Sequence, residues 1–271
     1  MIALASGVGG AVALAVGGEN PPGPPAGSSD RSVKLLGSGT SENKYVPIIP
    51  CRILDTRKGY GKLPVGSNKT IDVRGSDATF TTQGGNSGGC GIPSSATAIE
   101  ATFTAIDSGS GFLRTWPANL VQPNATFLNY DSAFNVSNTG TVTLCGNNGL
   151  PCLVNKDLNL QAYGTSTHLV IDVAGYYQQP MSANVSNAGA LVRSSRTISA
   201  VKSSTGTYEV RFDRNVTQCT YFAATATANA NTESGYATVT NFGGDVNSLF
   251  IQTYNTAGAV VDKGFQVQVI C

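Results

Sequence analysis

The chain has 271 residues, 12% of them charged, and 17 basic against 16 acidic side chains leave a formal net charge of +1. Phosphate binding needs clustered Lys and Arg, and here these residues are scattered singly, so no nucleic-acid partner is expected. Thirty-two glycines in a chain rich in Thr, Ser, Asn and Val favour short strands and tight turns, and the length allows two modules, each with its own core.

The chain opens MIALASGVGGAVALAVGG. No Lys or Arg precedes the apolar stretch, as the n-region of a secretion signal requires. About 17 apolar residues at ~1.5 Å each fall short of a ~30 Å hydrocarbon core, so no membrane span is expected in the mature form. Five glycines, Gly7, Gly9, Gly10, Gly17 and Gly18, weaken any helix there. The segment alternates instead with period two. Ile2, Leu4, Val8, Val12, Leu14 and Val16 fall on even positions, while odd positions 3 to 17 are all Ala or Gly. That pattern predicts an extended strand over 1–18 with one bulky face and one smooth face, the alternative being a signal remnant. Burying six large apolar side chains would contribute on the order of 10 kcal/mol before ordering costs.

Residues 19–43 begin ENPPGPPAGSSD and read as a Pro/Gly/Ser-rich linker. From 44 to 178, runs such as ATAIEATFTAI, GFLRTW, ATFLNY, TGTVTL and HLVIDVAGYY read as strands broken by Gly, Pro, Asn and Asp. In the last of these, Leu169, Ile171 and Val173 share one face. Residues 179–189 read as a polar hinge. Over 190–271, TYEVRFD, ATVTNF, SLFIQTY and GFQVQVIC predict a second, smaller set of strands. The fold class expected is all-β: two β-sandwich (jelly-roll or Ig-like) domains preceded by an extended N-terminal strand and a Pro-rich linker.

The six cysteines are even in number and include no C-x-x-C pair, which favours disulfides and an oxidising, extracellular or cell-surface location. If pairing stays within domains, Cys219 must join Cys271. Of the three arrangements left, the one chosen adds Cys51–Cys90 and Cys145–Cys152. The spacing does not suit zinc and His168 is the only histidine, so neither a metal nor another cofactor is expected.

Two stretches resemble known secreted modules. PCRILDTR (Pro50 to Arg57), continuing through CGIPSSATAIEATFT and closing with HLVIDVAGYY, resembles a module repeated in large secreted bacterial proteins, one with no settled biochemical activity. Residues ~190–271, with GTYEVRFDRNVTQCTYFAATA and the closing GFQVQVIC, resemble a small terminal domain of secreted bacterial and phage-associated surface proteins. Both resemblances imply display outside the cell. The module commonly repeats, whereas this chain carries one copy, so any assembly would come from many chains.

Residues that could carry chemistry have simpler uses. Asp55 and Arg57 in LDTR read as a structural ion pair pinning a strand to a loop. His168, Asp172 and a serine could be drawn as a triad, but no G-x-S-x-G is present, and no enzyme is expected. Trp116, Tyr130, Tyr176, Tyr177 and Tyr236 are candidates for stacking surface glycans. Five N-x-[ST] sequons, at Asn68, Asn124, Asn135, Asn184 and Asn215, would permit glycosylation. The reading these features favour is a structural subunit of an extracellular, pilus-like filament. Its partner would be other copies of the chain, joined head to tail by the N-terminal strand through donor-strand complementation. The alternative is a monomeric secreted adhesin or carbohydrate-binding module.

Overall fold

The structure is a computed structural model, and it describes residues 42–76, 78–146, 152, 156–227 and 233–271. The apolar segment 1–18 and nearly all of the linker 19–43 lie outside the described residues. Among the described residues, sixteen strands and one helical turn follow in chain order. They are β1 (Lys44–Asp55), β2 (Lys69–Ile71), α1 (Thr79–Thr82), β3 (Ala96–Ile106), β4 (Gly111–Pro117), β5 (Leu128–Tyr130), β6 (Val136–Thr143), β7 (Leu158–Tyr163) and β8 (His168–Gln178). Then come β9 (Met181–Val185), β10 (Leu191–Ser195), β11 (Thr197–Ser204), β12 (Thr207–Phe212), β13 (Thr220–Thr225), β14 (Tyr236–Asn241), β15 (Ser248–Tyr254) and β16 (Phe265–Ile270).

The chain is all-β, and every named strand pairs antiparallel in one of four four-stranded sheets. Sheets β1-β8-β3-β6 and β2-β7-β4-β5 enclose one core, in which Leu54, Ile71, Phe103, Leu113, Leu160 and Ile171 are fully buried. Sheets β10-β9-β16-β13 and β11-β12-β15-β14 enclose another, built on Val185, Tyr208, Phe212, Leu249, Ile251 and Phe265. Period-two patterning makes these faces. In β16, Phe265, Val267 and Val269 are buried while Gln266, Gln268 and Ile270 face outward. Tyr208 and Phe265 meet in a tilted ring pair with centroids 4.9 Å apart, a geometry the ring quadrupole favours.

The loop from β2 to β3 packs against the first core. Turn α1 places Phe80 inside, and the buried Gln83 uses its whole amide. Its Oε1 accepts the Asp72 N–H at 2.7 Å, and its Nε2 donates to the Ile53 and Asp72 carbonyls. Satisfying that amide removes the penalty of burying it. Gly84 and Gly85 press so closely on β1 that a Cβ would lie 2.3 Å from the Asp55 carbonyl oxygen and 2.5 Å from that of Ile53.

Residues 179–189 are not a hinge. Met181, Ala183 and Val185 are buried in β9, which lies between β10 and β16. Small side chains and intervening Ser and Asn gave this strand a polar look. Further on, Arg196 at φ 58° turns the chain out of one sheet and into the other between β10 and β11. Its guanidinium then holds Asp213 through two hydrogen bonds of 3.0 and 2.8 Å.

Candidate functional site

The two motif stretches meet on adjacent strands. Register pairs Arg52 with Asp172, Cys51 with Val173 and Asp55 with Val170. Arg52 grips Asp172 bidentately, Nε to Oδ1 at 2.8 Å and Nη2 to Oδ2 at 3.0 Å. Arg57 reaches back to Asp55, donating from Nε at 2.9 Å, from Nη2 at 2.8 Å and from its backbone N–H at 3.1 Å. Asp55 is fully buried, and the Arg57 hydrogen bonds hold its carboxyl below the usual carboxylate range against the opposing effect of burial. Thr56 Oγ1 lies 3.1 Å from His168 Nδ1 and accepts the Leu169 N–H at 2.9 Å. These groups tie β1 to β8 and to the turn after β1.

The three disulfides are Cys51–Cys90, Cys145–Cys152 and Cys219–Cys271, with sequence separations of 39, 7 and 52. Cys145, Cys152 and Asp157 lie together, but the two sulfurs are bonded to each other and Arg74 pairs with Asp157. No thiolate is left there to ligate a metal.

The aromatic candidates divide. Trp116 on β4, at 5% exposure, lies beside Leu120, Val121 and Pro123 and cannot receive a sugar on its face. Tyr130, at 4%, is likewise buried, its hydroxyl 2.7 Å from the Thr165 carbonyl and 3.0 Å from that of Tyr163. Both fail as stacking platforms, Tyr130 because its ring belongs to the first core and Trp116 because it is covered on the other face of β4. Tyr176 packs against the same core. Tyr177 is half-buried beside Tyr45, ring centroids 5.2 Å apart. Tyr236 remains 47% exposed, stacked on Tyr254 at 4.7 Å. Sequence reasoning missed a second parallel stack, Phe112 on Tyr163 at 4.6 Å with the Arg114 guanidinium nearby, because these rings lie on different strands, β4 and β7.

Among the sequons, Asn68, Asn124, Asn135 and Asn215 are exposed, and Arg114 donates to the Asn124 Oδ1 at 2.8 Å. Asn184 is a poor glycan acceptor. It is half-buried in a strand paired on both sides, and its Oδ1 is sealed from solvent.

Sheet edges differ in how they are guarded. Strand β1 has Pro47 and Pro50 and two register shifts. Strand β11 has Lys202, paired with Asp262, and two register shifts of its own. Strands β13 and β14 face each other across a seam bridged by Tyr221 to Asn241 and Thr225 to Gly235. Strands β2 and β5 have three residues each. By contrast, β6 (VSNTGTVT) is eight residues long, has no charge and no proline, and pairs with β3 without a register shift. Among the described residues, no loop backbone bonds to its outer edge. Such an edge offers its free N–H and C=O groups to another strand unless something blunts it.

Beside β6 lies an apolar notch of about 230 Å³. Trp116, Phe127 and Val142 line it together with Leu120 and Val121, the last 91% exposed. Phe127 spans the two layers, its ring 4.4 Å from that of Phe103 and its carbonyl accepting from Asn138 Nδ2 at 2.6 Å. The arrangement can receive an extended chain on β6 with an apolar side chain in the notch. Compared with known protein families, with curated proteins and with solved structures, the chain matches none of them.

Proposed function

We propose that the chain is a structural subunit of an extracellular filament, polymerising when the apolar segment Ile2–Val16 of one copy adds to the β6 edge of the next. The observation that carries this reading is the unguarded, uncharged β6 edge with an apolar notch beside it. The sequence supplies a matching alternation, with six large apolar residues at even positions and only Ala or Gly at odd positions 3 to 17. Main-chain hydrogen bonds to β6 would give affinity, and alternate side chains in the notch would give specificity. A linker of 25 residues, 19–43, at roughly 3.3 Å per extended residue reaches about 80 Å, far enough for a neighbouring copy. Three disulfides suit an oxidising compartment. A head-to-tail contact of this kind does not close on itself, so it generates filaments.

Negative-stain electron microscopy of the full chain tests the reading. Filaments are expected from the full chain and single particles from the chain lacking residues 2–18. Single particles from both samples would refute polymerisation. Filaments from both would acquit the N-terminal segment.

A further inference from the structure

The outer face of sheet β10-β9-β16-β13 forms a trough of about 810 Å³, within the roughly 300–1,000 Å³ usual for ligand clefts. Register sets its side chains in rows across the strands. Ser195, Ser182, Gln268 and Phe222 align in one row. Arg193, Asn184 and Gln266 align in the next. All of them point away from the core that Ala183, Val185, Val267 and Val269 enter from the other face.

Apart from Ser195, whose hydroxyl donates to Gln179 at 3.0 Å, the polar groups along this trough are largely uncommitted. On the outer face of β1-β8-β3-β6, by contrast, polar side chains bond one another, Thr102 to Thr139 at 2.7 Å, Thr104 to Ser137 at 2.8 Å and Arg52 to Asp172 at 2.8 Å. In the trough, Ser182, Asn184, Arg193, Gln266 and Gln268 make no side-chain hydrogen bond to another described residue. Asn184 is half-buried on the floor with its Oδ1 sealed from solvent, so the polar groups open to a ligand are those of Ser182, Arg193, Gln266 and Gln268. No carboxylate lines the trough, and Arg193 is its single charge.

We infer that this trough binds carbohydrate, specifically a neutral oligosaccharide. A sugar hydroxyl both donates and accepts, and an amide offers an acceptor and two donors side by side. Strand spacing sets Gln268 ~4.8 Å from Ser182 on the neighbouring strand, close enough for one sugar ring to reach both the amide and the hydroxyl. Phe222, 58% exposed at the end of its row, offers an apolar face to the C–H side of a ring. The near-neutral lining complements an uncharged ligand, and a lone guanidinium is no cluster for a polyanion. The inference shares no residue with β6 or the N-terminal segment, so it stands or falls apart from polymerisation.

The full chain should be screened on an array of neutral glycans and its hits titrated in solution, with Phe222→Ala and the double variant Gln266→Ala/Gln268→Ala alongside. These exposed positions should leave the melting temperature unchanged. Binding is expected to weaken at least about tenfold in each variant. The inference is overturned if no glycan binds at millimolar concentration, or if the variants bind as well as the parent. It is also overturned if sedimentation shows that Phe222→Ala dissociates an assembly that glycans do not affect, because the trough would then be a protein contact.

Discussion

Asp55 shows how much one buried carboxylate can organise. It takes hydrogen bonds from two atoms of the Arg57 guanidinium and from the Arg57 backbone, and Arg52 approaches at 3.3 Å while binding Asp172. Its folded-state pKa lies below the usual value, so its contribution is present above the unfolded pKa and lost as pH falls through the folded one. Asp107, Asp245 and Asp262 are shifted the same way by their own hydrogen-bond partners. Thermal stability is therefore expected to be nearly flat from neutrality to about pH 5 and to fall below roughly pH 4, as scanning calorimetry across pH would show. Asp55→Ala should cost about 1.5–3 kcal/mol in urea melts at pH 7, the usual worth of hydrogen bonds to a charged group. Its acid loss should also be shallower than the parent's. That Asp55 and Arg57 would pair was legible from two positions in LDTR. The Arg52–Asp172 bond was not, because it depends on which residue of β8 lies opposite β1, and two register shifts intervene.

At the scale of elements, strands with large apolar residues in strict alternation could be read directly. β3, β8, β12 and β16 are such strands. Strand β9 escaped because its inward residues are Met, Ala and Val, set among Ser and Asn just after Pro180, so that a central strand imitated a hinge. Trp116 was misread as a candidate platform for another reason. It shares the outer face of β4 with Phe112 and Arg114, and what buries it is the loop after the strand, which alternation along β4 does not reveal. The notch beside β6 was invisible, because it joins β4, the loop after it and β6. If β6 receives a strand, charge on it should blunt the edge. Thr139→Lys/Thr141→Lys is expected to abolish filaments while leaving the monomer folded by circular dichroism. Should filaments persist in that variant yet vanish when residues 2–18 are removed, the donor stands and its acceptor lies elsewhere. Among the disulfides, the chain-entropy model gives roughly 4 kcal/mol for Cys219–Cys271 and roughly 2.5 kcal/mol for Cys145–Cys152. Paired Cys→Ser variants should show that order in denaturant midpoints.

At the scale of the whole molecule, two cores and four antiparallel sheets follow from a composition rich in β-branched residues and turn formers, and that much the sequence reveals. Which edges are guarded and which outer faces keep their polar groups to themselves depend on tertiary register. These are also the features on which the functional proposals rest. One covalent detail has a mechanical consequence. β1 is the first strand after the linker, and Cys51 within it is bonded to Cys90. A pull applied to the linker can peel only residues 44–50 before it meets the sulfur bridge. Tension then passes directly from Cys51 to Cys90, and the chain between them, which holds Asp55, Arg57, β2 and α1, is shielded from the force. A tether stretched at its linker should therefore yield in a short first step and then stiffen, and a reducing agent should lengthen that step by the chain between Cys51 and Cys90, a sequence separation of 39, which the bridge had kept out of the line of force.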